Sequence, residues 1–239
     1  MATLGAVMES RSSKVRPDLQ AKDPENALLA RHSRLRLPAE LIRDEALFAG
    51  GLLATSKVGG PSVRPPQPAG VAALAYGATG DGKWIESKGT DEYRRGLYIF
   101  FQRATPYPLL MNFDAPKAVV TECRRERSNT PLQALNLLND PVFVEAAASL
   151  AYRTLAEAST TDDRIAVMFE RTLARKPSLG EADRFRKGLE SLRAKYASDS
   201  TAAHQVAPAV LPGLNRAEAA AWVNLASVLL NLDEFVTKE

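Results

Sequence analysis

Arg124, Arg125 and Arg127, interleaved with Glu122 and Glu126, are the densest group of chemistry-bearing side chains in the chain. An arginine fork grips carboxylate, sulfate or phosphate through two parallel hydrogen bonds. These arginines run into Ser128-Asn129-Thr130-Pro131, a helix start whose free N–H groups add partial positive charge. Gln133 and Asn136 then share one helix face, with Asn129 just before it and Asn139 near the helix end. Amides of this kind suit hydroxyl recognition. Arg124, Arg125, Arg127, Asn129 and Gln133 are therefore the candidate ligand-binding residues, with an acidic or sulfated sugar as the matching chemistry. The same residues also fit a scaffold. The arginines could pair with Asp44, Glu45 or Asp114 and tie the loop to the first long helix, while the amides cap buried backbone.

Other groups carry weaker signals. Asp91 and Glu92 precede Arg94 and Arg95, and paired carboxylates can run acid/base hydrolysis, although a solvated turn explains the same run. Trp84 and Tyr76 are able to stack on a sugar ring or to serve as ordinary core residues. There is no GxSxG, no Walker loop, no GxGxxG opening a helix and no HExxH. One cysteine, Cys123, excludes an intrachain disulfide, and with only His32 and His204 a His/Cys metal site or an attached haem is not expected. No cofactor is implied. The net charge of +3 is small and not gathered in one block, which argues against nucleic acid. No apolar run approaches the roughly 20 residues that span a bilayer, and the N-terminus lacks the basic region of a signal peptide.

The elements that position these residues are mostly helical. Residues 1–22 are polar and aperiodic and read as a tail. Asp23-Pro24 suits a helix start, and a clearer helix is expected over 38–53, with an apolar stripe of Leu41, Ile42, Phe48, Ala49 and Leu52 interrupted by Glu45. Residues 58–70 hold four prolines and three glycines and must run extended, draped over the helices; Pro65 and Pro68 form a nominal PxxP. Residues 97–103, LYIFFQR, have strand character, or form a buried extended segment without a partner strand.

Beyond Thr130 the chain reads as helix after helix. Thr130-Pro131 with Gln133 suggests a capping box, Asp140-Pro141 repeats the start signal, and Ser178 with Glu181 is a further capping box. Ile165, Met168, Phe169, Thr172 and Leu173 make one stripe, and Phe185, Leu189, Leu192 and Tyr196 continue the pattern. A final helix, about 216–232, is apolar around most of its circumference, including Trp222, Leu225, Val228 and Leu229. LLNDPVFV (137–144) and LLNLDEFV (229–236) agree at five of eight positions. Either two related halves or a shared Leu-Leu-Asn helix ending with a left-handed Asn accounts for the echo, and the ending is the simpler reading.

The blocks GGPSVRPPQP, YRRGLYIFFQRATPYP, FDAP, RRERSNTPLQALNLLNDPVFVEAA and the closing LLNLDEFV, in this order, resemble domain of unknown function 1553 over roughly residues 9–239. The resemblance implies a C-terminal domain of large, mainly planctomycete, exported proteins, often with an upstream cytochrome module, and a periplasmic or extracellular location. It supplies no catalytic residues. Against that plan, this sequence reads as an N-terminally truncated member.

The expected architecture is mainly α, a helical domain over 23–239 with a long Pro/Gly-rich extended segment and at most a small β element. The leading functional reading is a non-catalytic accessory module that packs against an upstream domain and binds a protein partner or a glycan. The competing one is a glycan- or sulfated-polysaccharide-processing enzyme with its site at 124–133.

Overall fold

The computed structural model describes residues 17–28, 35–68, 70–71, 84–103, 105–208 and 213–238. It is mainly helical: α1 (Pro17–Lys22), α2 (Ala39–Gly50), α3 (Pro108–Asn112), α4 (Pro131–Asn139), α5 (Pro141–Glu157), α6 (Thr161–Leu173), α7 (Leu179–Ser198), α8 (Ser200–Val206), α9 (Arg216–Leu230) and α10 (Asp233–Val236). Strand β1 (Leu35–Arg36) pairs antiparallel with β2 (Thr237–Lys238), with Leu35 opposite Lys238 and Arg36 opposite Thr237. This fastens the end of the chain to the entrance of α2, and Leu37 N–H extends the ladder to the Val236 carbonyl at 2.9 Å. Helix α1 occupies residues expected to be tail. Asp23 starts no helix; its carboxylate accepts the N–H groups of Ala27 and Leu28 and closes a turn.

Helix α9 is the centre of the core. Ala219 to Val223, Leu225, Ala226, Leu229 and Leu230 are buried against α5 and α7, which is why its sequence is apolar nearly all round. Val228 is the exception at 42% exposed. Trp222 is fully buried, yet its indole N–H reaches Glu218 Oε1 at 2.7 Å, so the polar end of the ring is satisfied. Phe169 of α6 meets Phe185 of α7 edge-on at 5.0 Å.

The stripe expected on the first long helix packs only in part: Ile42 and Ala49 are buried. Leu41 is 38% and Phe48 61% exposed, while Ala39, Ile42, Arg43, Asp44, Ala46, Leu47, Ala49 and Gly50 are buried in α2. Close approach to α5 decides this: a Cβ on Gly50 would lie 2.9 Å from the Ala146 carbonyl oxygen, so small residues must face inward. The buried charges at Arg43 and Asp44 hide that face from any hydropathy pattern. Glu45 lies beside it, partly exposed, and meets Lys238 at 3.5 Å.

The described part of the Pro/Gly-rich segment, residues 58–68 and 70, lies outside helix and sheet and runs beside residues 94–100, bridged between Val63 and Ile99. Proline has no N–H but keeps its carbonyl, and the segment is held mainly through acceptors. Arg94 donates to the carbonyls of Pro61, at 2.7 Å, and Gly59. Trp84 Nε1 donates to Pro65 O at 2.9 Å and Tyr107 OH to Pro66 O at 3.2 Å. With Pro65 buried and its carbonyl taken, the PxxP is structural. The LYIFFQR stretch forms a short 3-10 turn, Gly96–Tyr98, and then an isolated parallel bridge between Ile99 and Val63. It is thus extended and bridged rather than a strand of a sheet.

Neither Asn139 nor Asn231 is left-handed; Asn231 has φ −98°. Both echo segments are junctions where one helix ends and the next begins within three residues or fewer, α4 to α5 at Asp140 and α9 to α10 at Asn231-Leu232.

Candidate functional site

The arginine loop is built on a pinched base. Asp114 follows α3 with φ +60°, a left-handed conformation in which Asp is found more often than most residues. Its carboxylate accepts the N–H of Ser128 at 2.7 Å and the hydroxyl of the same residue at 2.8–2.9 Å. Gln133 Nε2 joins them, at 3.1 Å from Ser128 Oγ and 3.3 Å from Asp114. The chain between these anchors stands out from the body, and residues 117–127 are all exposed.

The candidate residues therefore separate. Gln133 is 1% exposed, with its amide N–H groups spent on the loop base and its Oε1 buried without a donor. Thr130 caps α4 by accepting the Gln133 N–H, but the Gln133 side chain does not return to Thr130, so half of the expected capping box is absent. Asn129 is exposed, and Asn139 Nδ2 donates to its own helix at Leu135 O. Arg125 meets Glu40 at 2.9 Å, a partner other than the three considered from sequence. Asp44 is occupied by Gly96 N–H, Glu45 by Lys238, and Asp114 by Ser128. Among the described residues, Arg124 and Arg127 have no ion-pair partner. One loop cavity of about 470 Å³ is lined by Arg124–Ser128 alone, while a second, of about 560 Å³, sets Arg124 beside Asp114, Glu122 and Glu126, with Asp114 already committed to Ser128.

The arginines that are buried are different ones. Arg43 and Arg94 are 1% and 0% exposed. Arg43 donates to the carbonyls of Arg94 at 2.8 Å and Glu92 at 2.5 Å. Arg94 lies over the Tyr98 ring at 4.2 Å. Asp44 accepts from Gly96 N–H at 2.6 Å and stands 3.9 Å from Arg43 and 3.6 Å from Arg95. Burial lowers the Arg43 pKa, an effect partly offset by Tyr107 and Asp44. Burial raises that of Asp44 against the pull of Gly96, Arg43 and Arg95. The 91–95 run, which sequence alone suggests is a solvated turn, is in this way the internal strut between α2 and the extended segment. Asp91 faces outward to Lys57. Trp84 stacks on Tyr107 at 5.7 Å and serves the strut. His32 and Tyr76 lie outside the described residues, and His204 is exposed.

Sequence reasoning missed the outer face of α4. Leu132, Leu135 and Leu138 are 52%, 56% and 43% exposed, whereas only Gln133 and Leu137 point inward. Val119 and Val120 of the arginine loop are also exposed. The available signal was the composition of PLQALNLLN, a nine-residue helix with no charged side chain. A helix with amides on one face and leucines on another normally turns the leucines inward, whereas here the amide of Gln133 is buried and Leu132, Leu135 and Leu138 are outside.

A match to the family model described as PSD1, protein of unknown function (DUF1553), covers residues 9–189. The chain belongs to this family. The matched part of this PSD1 chain contains the arginine loop, α4 and the Arg43–Arg94 strut, and it ends within α7. No curated protein and no solved structure matches the chain. Among the described residues of the PSD1 chain, no cluster of three His, Cys, Asp or Glu side chains is placed to hold a metal, and no helix is long and apolar enough to cross a membrane.

Proposed function

We propose that this PSD1 chain is a non-catalytic interaction module of a multidomain protein, and that α4 is the face through which it docks onto another protein surface. The observation that carries the reading is the exposure of Leu132, Leu135 and Leu138 on one charge-free helix. Exposed apolar groups at helical spacing cost solvation free energy that a partner recovers on binding. Arg124 and Arg127 are exposed on the loop that precedes α4, and exposed charge near an interface steers association more than it adds affinity. An enzyme at the same place would need these arginines to meet Gln133 or a carboxylate pair across a cleft, and Gln133 is turned into the body.

The test is a photocrosslinking amino acid at position 135 of the protein as expressed in its own cells, with position 179 as control, since Leu179 is 89% exposed and outside the α4 face. The reading expects one defined adduct from position 135, mapped to a single surface, and none from position 179. No adduct at 135, or equal and diffuse labelling from both, overturns it.

A further inference from the structure

A cavity of about 540 Å³ opens between the end of α2, the segment behind it, α5 and α6, and shares no residue with the arginine loop or α4. Its volume lies within the roughly 300–1,000 Å³ of small-molecule sites. We propose that it binds a small organic monoanion, a carboxylate held by Arg153 with an aromatic or aliphatic body against Phe48, Leu53 and Val167. Phe48 is 61% exposed on this wall, and Leu53 and Val167 are half-buried. The cavity thus keeps apolar surface in water, and covering that surface favours a ligand with an apolar body.

One guanidinium supplies the polar end. Arg153 and Glu157 stand one turn apart on α5, as Val167 and Arg171 do on α6. Arg171 pairs with Glu157 across the two helices, which commits both. Arg153 has no ion-pair partner among the described residues, and the bond it makes is long, 3.4 Å from Nη1 to the Ala49 carbonyl. Its Nε–H and Nη2–H groups remain as a two-pronged donor suited to a carboxylate. Gly51 makes room for this head group: it caps α2 at φ +74°, and a Cβ there would collide with the Arg153 guanidinium. Burial lowers the Arg153 pKa, Arg171 lowers it further, and Glu157 offsets them only in part, so at Arg153 the positive member of the ion pair outweighs the negative one. A bound carboxylate relieves that repulsion. Glu157 and the exposed Glu170, both on the wall, disfavour a second negative charge and so select a monoanion.

The experiment uses the whole chain with four probes: phenylpropionate and octanoate as monoanions, phenylpropanamide as the uncharged match, and phenylsuccinate as the dianion. Saturation-transfer NMR detects binding, and titration gives each Kd. Both monoanions are expected to bind, with the amide and the dianion weaker than phenylpropionate. Arg153→Gln is expected to weaken phenylpropionate about tenfold, as loss of a charge-assisted pair of hydrogen bonds would. Phe48→Ala is expected to weaken it about fivefold through lost apolar contact. Arg124→Gln, on the arginine loop, is expected to leave it unchanged. All three side chains are exposed, and circular dichroism confirms that each variant is folded. No saturation transfer to either monoanion overturns the proposal. So does an amide or dianion that binds as tightly as phenylpropionate, or a Kd unmoved by Arg153→Gln or by Phe48→Ala. A Kd raised by Arg124→Gln would place the acid on the loop and overturn it as well. The docking role of α4 is untouched by any of these results, because the crosslink from position 135 tests it separately.

Discussion

The guanidinium of Arg43 donates to the main-chain carbonyl of Arg94 at 2.8 Å, so one buried arginine holds the backbone of another. Arg94 in turn holds the extended segment through Pro61 and Gly59. A helix, a strut and a proline-rich strap are thereby joined in series.

Arg43→Ala strands the carbonyls of Arg94 and Glu92 and leaves a cavity, at a cost of about 3–5 kcal/mol. At about 2–4 °C per kcal/mol for a chain of this size, calorimetry should show a midpoint lower by roughly 10 °C. Arg43→Lys, which can keep one of the two bonds, should fall between. A midpoint unchanged in the alanine variant would remove the strut from the account.

Arg124→Ala with Arg127→Ala should leave stability within about 0.5 kcal/mol of the parent, because both side chains are exposed and neither has an ion-pair partner among the described residues. Thermal melts of the double variant beside Arg43→Ala separate loop from strut directly. A large drop in the double variant would make the loop part of the scaffold.

Gly50→Ala adds a Cβ 2.9 Å from the Ala146 carbonyl oxygen, a backbone atom that cannot swing aside. Separating α2 from α5 by the needed fraction of an ångström should cost about 1–3 kcal/mol. Chemical denaturation measures it. Gly180→Ala, whose added Cβ would meet nothing within 4 Å, is the control and should be neutral or slightly stabilising.

Glu181 accepts a two-pronged bond from Arg175 and completes the α7 capping box with Ser178, which brings its pKa down from 4.5 to about 2. A depressed carboxylate stabilises the fold above its unfolded pKa, and the contribution is lost as pH falls from about 4.5 toward about 2. Arg175 is 36% exposed, so water screens the pair and the effect is about 1 kcal/mol. Glu181→Gln should lose that amount at pH 7 and show a flatter stability profile between pH 5 and pH 2. A profile parallel to the parent's would show that other carboxylates govern acid unfolding.

The helices of the second half were legible because their signals are local. Proline at the first turn, Asp140 and Ser178 as caps and the stripe of α6 each act within four residues, and all recur in the structure. The strut was not legible, because Arg43 and Arg94 are 51 residues apart and each looks, by itself, like a surface charge. Gln133 fits both a sugar-binding amide and a loop anchor, and only the position of Asp114 and Ser128 chose the anchor.

By itself, then, the sequence determined a mainly helical chain, an extended proline-rich segment and most helix boundaries in the second half. These follow from backbone chemistry: which residues cap, which lack an N–H, and which repeat at the helical period. Tertiary structure alone decided which sides of α2 and α4 meet the core. It buried two arginines whose donors find carbonyls there, turned Gln133 inward, and left three leucines of α4 outside. The reason is that burial depends on what lies opposite in space, and neither a buried charge nor an exposed leucine can be told from its neighbours along the chain.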